Sequence, residues 1–317
     1  MRHALRNMFP DENKKDVFVT GAHRSGSSWI GKMLALGENI CLRDEEIFHR
    51  YWELAKAPFE KMHAYICQEN EHHYLPYVNR MVNNRFHLAR AMAHIRSARD
   101  VGRVVKRQGV FWRRQLQSAE RTIYIEPIGL FSAEWFSQKF HTDMLLVIRH
   151  PASFVSSLKS LNWGYNFNDL LEQPLLMDRY LSRFRHDMER APRKPDVVGI
   201  GILLWKILYS VVHQYQQQHP DWIFIRHEDY AQHPEKKFQE LYQRLHFPFT
   251  TTVEQTISDY TSPSNPTEFS GKRDYSRRNS RETIHIWKTR LTEEEVKRIR
   301  DGVEEVSSFF YDGASWE

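Results

Sequence analysis

A chain of 317 residues in which 41% are hydrophobic and 13% aromatic can bury a sizeable core, which excludes disorder as a global description. Its net charge of +5 is mildly basic, and fits an anionic ligand as well as it fits nucleic acid. The two cysteines, Cys41 and Cys67, are too few for a disulfide framework or a zinc site and point to a reducing, cytoplasmic setting.

The opening MRHALRNMFPDENKKD has no apolar run of the kind found in a signal peptide, so neither a leader nor a membrane anchor is expected. The first strand is Val17 to Thr20, which turns at Gly21 into the loop GAHRSGSSW and opens a helix. Residues 51 to 118 are long, helix-like and rich in aromatic and basic side chains. Further strands are expected at Thr122 to Ile125, Met144 to Ile148 and Trp222 to Ile225. A second helical region, 164 to 215, holds the apolar run Val197 to Val212. That run carries Lys206 and is too short to span a bilayer, so it reads as a buried helix. The stretch 265 to 281 reads as a loop, and Thr292 with Glu295 forms a capping box for the last helix.

Strands alternating with helices predict an α/β fold, a P-loop-like central parallel sheet covered on both faces, with the ligand crevice at the carboxyl ends of the strands. The chain reads as one domain, 1 to 317, in which the regions 51–118 and 164–215 are helical insertions that cover the crevice.

The loop after the first strand matches G-x-x-x-x-G-K-[ST] at Gly21, Gly26 and Ser28, but Ser27 stands where the lysine belongs. That lysine serves the β- and γ-phosphates, so the loop argues against a triphosphate and suits a donor with one 5′-phosphate. The nearest strong cation is Arg24. After the third predicted strand, Arg149 sits at the carboxyl end, Pro151 begins a helix and Ser157 follows eight positions after the arginine. An arginine fork and a hydroxyl arranged in this way can hold a second phosphate. No metal is indicated. HEDYAQH at 227–233 fails H-E-x-x-H because Ala231 occupies the second histidine position, and no pair among the seventeen histidines has convincing ligand spacing.

RSGSSW followed by IRHPASFVSS resembles the sulfotransferases that use 3′-phosphoadenosine 5′-phosphosulfate (PAPS) and release adenosine 3′,5′-bisphosphate (PAP). IRHEDYAQHPEKKFQEL and IHIWKTRLTEEE are similar to later blocks of the same family. HRSGSSWIGKML with PIGLFSAEW resembles bacterial members associated with polysaccharide modification, which implies a sugar or glycan hydroxyl as acceptor. The resemblance implies that Arg24, Ser25, Gly26, Ser27, Ser28 and Trp29 bind the 5′-phosphosulfate, with Arg24 as a permanent cation beside the bridging oxygen. It implies that Arg149 and Ser157 bind the 3′-phosphate. Arg278, Ser280 and Arg281 would belong to a loop closing over the 3′-phosphate and adenine, although the usual Arg-Lys-Gly is not reproduced there. Glu45 stands where carboxylate-using members carry the catalytic base. Glu126, which follows the second predicted strand where other members carry a histidine, is the second candidate, with His23 and His49 behind it. Two other readings are a nucleotide kinase or NTPase, against which the missing lysine counts, and a basic nucleic-acid-binding protein, which rests on charge and aromatics alone.

Overall fold

The computed structural model describes residues 14–44, 47–48, 58–83, 92, 95, 97–116, 119–191, 195–268 and 277–317. Five parallel strands form the sheet: β1 (Val17–Gly21), β2 (Ile40–Asp44), β3 (Arg121–Ile125), β4 (Asp143–Ile148) and β5 (Ile223–Arg226), in the order β2-β3-β1-β4-β5. The four expected strands are present. The fifth, β2, escapes an apolar pattern search because Arg43 and Asp44 end it. Arg43 is nevertheless buried, and its guanidinium donates to the Met81 and Val82 carbonyls.

Helices α1 (Ser27–Leu34), α2 (Glu71–Val82) and α3 (Ala98–Leu116) precede β3, and α4 (Ala133–Phe140) leads to β4. Then come α5 (Pro151–Ser160), α6 (Val197–Gln218) and, beyond β5, α7 (His227–Gln232), α8 (Pro234–Arg244), α9 (Thr251–Thr261) and α10 (Glu293–Ser307). Pro151 and Pro234 start α5 and α8, where a missing N–H costs nothing, and the Thr292–Glu295 capping box opens α10.

Alternate side chains of each central strand face opposite layers, and both sides are apolar, as a doubly covered parallel sheet requires. Val17, Val19, Ile123, Ile125, Leu145 and Val147 pack with Ile30 and Met33 of α1, Phe238 and Leu241 of α8, and Ile257 of α9. Phe18, Tyr124, Met144, Leu146 and Ile148 face Phe136 of α4, Phe154 of α5, the length of α6, and Ile299 and Val303 of α10. The helical region 164–215 therefore divides. Its short helical turns before residue 190 reach toward segment 58–67, whereas α6 belongs to the layer packed on the sheet. α6 is long and apolar enough to cross a membrane, and 78% of its most apolar window is buried inside the protein.

The strand order puts β1 between β3 and β4. The register aligns Val19 with Ile125 and Gly21 with Val147, so the loops after β1, β3 and β4 open on one edge of the sheet. That edge is the switch point at which ligands of such sheets bind.

Candidate active site

The loop from β1 to α1 is held in an unusual backbone. Gly21 has φ +152°, Arg24 +67° and Gly26 +94°, three positive values within six residues. The Ser25 N–H donates to the Ala22 carbonyl at 3.0 Å, which closes the turn, and α1 begins at Ser27 without a side-chain cap. The N–H groups at the head of α1 thus have no side-chain acceptor, and the buried Ser25 Oγ has no hydrogen-bond partner. Alternating left- and right-handed residues before a helix form an anion-binding concavity, and strain of this kind is retained where function requires it. Ser27 is buried, while Ser28 and Trp29 are half-buried on the first turn. A Cβ on Gly26 would overlap the His227 ring, so glycine is required there for close approach as well as for φ.

The loop after β4 supplies the second half. The Arg149 N–H donates to the Tyr209 hydroxyl at 2.9 Å, and its carbonyl accepts from Trp205 Nε1 at 3.0 Å, so two aromatic residues of α6 fix its backbone. Its guanidinium Nε lies 3.5 Å from a Glu228 carboxylate oxygen. Glu228 also accepts from the His150 N–H at 3.0 Å and from the Tyr311 hydroxyl at 2.9 Å. From α5, Ser157 Oγ accepts a hydrogen bond from Arg24 Nε at 3.0 Å. The two motifs, 133 positions apart in the chain, meet at this contact.

Charge around them is unbalanced. Burial, then the charges of Arg149 and Arg278, hold the His227 imidazole well below its ordinary range. Burial, then Arg149 and Arg290, lower Arg278, with Glu268 opposing. His227 Nδ1 and Arg278 Nε are buried without hydrogen-bond partners. A buried guanidinium lowered by neighbouring arginines in a partly dry crevice makes a site that an anion would relieve. Trp29 sets its ring against His227 at 5.2 Å and Phe238 at 5.4 Å.

The other expected residues distribute unevenly. Ser280 is buried and donates to the Ala231 carbonyl at 2.7 Å, so its hydroxyl holds the start of a short helix. Arg281 is exposed, with Nε on the Gln232 carbonyl at 3.2 Å. Arg278 alone of that group joins the cationic cluster. Glu45 and His49 lie outside the described residues, as does 272–276 of the basic loop. Glu126 is fully buried, and its carboxylate accepts the N–H groups of Ile47 at 2.7 Å and Phe48 at 3.2 Å. The carboxylate of the second candidate base thus anchors the backbone at 47–48. Sequence reasoning missed His227 and Glu228. Their signal was their place just after β5, at the same sheet edge. Among the described residues, no group of three His, Cys, Asp or Glu side chains is arranged to hold a metal.

The sulfotransferase domain model matches residues 14–308. The chain belongs to the sulfotransferase domain family, and it is an enzyme of sulfuryl transfer. This replaces the kinase reading of the first loop. Among solved structures, the chain is similar to the sulfotransferase domain from the curacin biosynthetic pathway, with 16% identity and a TM-score of 0.46 over 92% of this chain and 97% of that one. It is also similar to a mouse sulfotransferase complexed with PAP, with 10% identity and a TM-score of 0.45 over 95% and 87%. A third is a sulfotransferase from Alicyclobacillus acidocaldarius, with 13% identity and a TM-score of 0.40 over 95% and 98%. No curated protein matches the chain.

Proposed function

We propose that this sulfotransferase moves the sulfuryl group of PAPS to a hydroxyl of a sugar or glycan precursor, releasing PAP, in a cytoplasmic, reducing setting. The observation that carries the donor assignment is the meeting of two anion sites. The β1–α1 loop with Arg24 touches the Arg149–Ser157 segment, and next to Arg149 lie buried polar atoms of His227 and Arg278 without partners. A nucleotide with phosphates at both ends fits a pair of sites built so close together; a triphosphate would call for the lysine that Ser27 replaces.

PAPS supplies an activated sulfuryl group when bound. The head of α1 and Ser25 to Ser28 hold the 5′-phosphate by N–H and hydroxyl donors, and Trp29 borders the nucleoside. Arg149, clamped by Tyr209, Trp205 and Glu228, keeps its fork in place for the 3′-phosphate with Arg278 alongside. Arg24 stays charged at every relevant pH and balances the charge that develops on the bridging oxygen, so it acts as an electrostatic clamp. Support for a glycan acceptor comes from the sequence resemblance and from Trp163, 45% exposed with the Arg24 guanidinium 5.8 Å from its ring, a flat apolar face on which a sugar ring can rest.

The test is incubation of the purified protein with radiolabelled PAPS and a panel of glycans and small alcohols, without added metal. Label transfer that depends on a hydroxyl acceptor is expected, with the glycans preferred. Transfer to none of the panel, or equal turnover with ATP, would overturn the assignment.

A further inference from the structure

Two buried histidines converge beside Arg24. His23 precedes it on the loop and is 8% exposed, with its ring 5.4 Å from that of His63, 5.5 Å from Phe154 and 6.4 Å from Trp163. His63 is fully buried, packs against Phe131, and has φ +58°. Its Nδ1 is 3.0 Å from the Tyr165 hydroxyl, which fixes the ring. His23 Nδ1 and His63 Nε2 are both buried without a hydrogen-bond partner. Each such unmade bond is destabilising, and a non-glycine residue at positive φ adds strain. A hydroxyl ligand beside these rings would answer the unmade bonds, because it can both donate and accept.

We propose that His23 is the general base that takes the acceptor's hydroxyl proton, and that His63, fixed by Tyr165, is the residue that positions it. The inference rests on the sulfuryl-transfer reading given above. As the acceptor oxygen bonds to sulfur, its O–H bond breaks and the proton passes to the unprotonated ring nitrogen of His23. The bond from sulfur to the bridging oxygen breaks, and its electron pair stays on the 5′-phosphate of PAP, opposite Arg24. The imidazolium then returns its proton to water.

The electrostatic setting suits this role. Burial, then the Arg24 charge, lower the His23 imidazole to about 4, and burial, then His23, hold His63 well below its ordinary range. Among the described residues, the titratable groups facing this corner beyond Arg24 and each other are Tyr165 and, acting on Tyr165, Asp169. His23 is therefore neutral at pH 7 and available as a base. An anionic nucleotide beside Arg24 offsets the guanidinium charge and moves His23 upward, toward the value at which an imidazole is most effective.

The experiment combines histidine side-chain NMR with calorimetry and turnover. In the wild type, the His23 resonance, identified by its loss in H23N, should titrate near pH 4 and move up by roughly one unit or more with PAP. H23N should bind PAP within about twofold of wild type but lose roughly 10² to 10⁴-fold in turnover. H63N, whose asparagine tolerates positive φ, should shift the acid limb of the kcat/KM profile while leaving PAP affinity intact. Normal turnover by H23N with the loss carried by E45Q would overturn the proposal, as would a wild-type His23 titration indifferent to PAP, which needs no variant to fold. Failure of the wild type to bind PAP would instead sink the donor reading itself.

Discussion

Arg24 Nε donates to Ser157 Oγ at 3.0 Å, joining the loop after β1 to the helix after β4. The bond sits on a left-handed residue at the head of α1, so the guanidinium is aimed by strained backbone at one end and a fixed acceptor at the other.

Arg24→Ala should lower turnover by roughly 10² to 10³-fold while weakening PAP binding less than tenfold, as the proposed action on charge that appears only in the transition state requires. Arg24→Lys should keep part of the activity, since the charge survives although the Nε donor is lost. Steady-state kinetics with calorimetry separates the two effects. A defect lying wholly in binding, with turnover intact at saturation, would contradict this role.

Glu126→Gln tests whether a buried carboxylate is anchor or base. The amide keeps one acceptor for the N–H groups of Ile47 and Phe48 but places a donor where the second belongs. A loss of roughly 1 to 3 kcal/mol in denaturant unfolding is expected, with turnover of the folded fraction within about tenfold. A fully stable but inactive variant would return Glu126 to the chemistry.

Gly26→Ala meets two obstacles at once, φ +94° and the His227 ring. The backbone term alone is roughly 1 to 2 kcal/mol. Thermal unfolding should drop by several degrees, and PAP affinity should fall as the turn is displaced. Wild-type affinity in a folded Gly26→Ala protein would show that the turn does not cradle the ligand.

His150 makes stability fall with acid. Its ring lies 5.6 Å from Trp287, 5.0 Å from Tyr311 and 4.6 Å from Trp316, with both nitrogens buried and unpartnered. Burial, then Arg149, lower it to about 3. The unfolded chain, with an ordinary imidazole near 6.5, takes up the proton first. The contribution is thus complete above about pH 6.5 and is lost as pH falls toward 3, by roughly 3 kcal/mol between 6.5 and 4. His150→Phe should give a shallower fall of unfolding temperature over that range. An unchanged slope would place the acid sensitivity elsewhere.

The legible parts of this site were those in which one short segment supplies the whole device. Gly21 to Trp29 announces its turn because positive φ and close approach demand glycine, and Pro151 marks the helix that carries Ser157. The rest is made by packing. His63 and Tyr165 meet across 102 positions, and no local pattern records it. Strand β2 was hidden because its buried Arg43 reads as a surface residue until the Met81 and Val82 carbonyls are seen beside it. Ser280 showed the opposite fault: a hydroxyl in a promising loop proved to be held by the Ala231 carbonyl.

In the proposed function, two neighbouring anion sites hold a nucleotide with phosphates at both its 5′ and 3′ positions. Calorimetry of PAP against AMP, on wild type and Arg149→Ala, tests it most directly. Losing a charge-assisted contact costs about 1.5 to 3 kcal/mol, so PAP should bind roughly ten- to a hundredfold more tightly than AMP to the wild type, and Arg149→Ala should largely erase the difference. Equal affinity of the wild type for the two nucleotides would contradict the account.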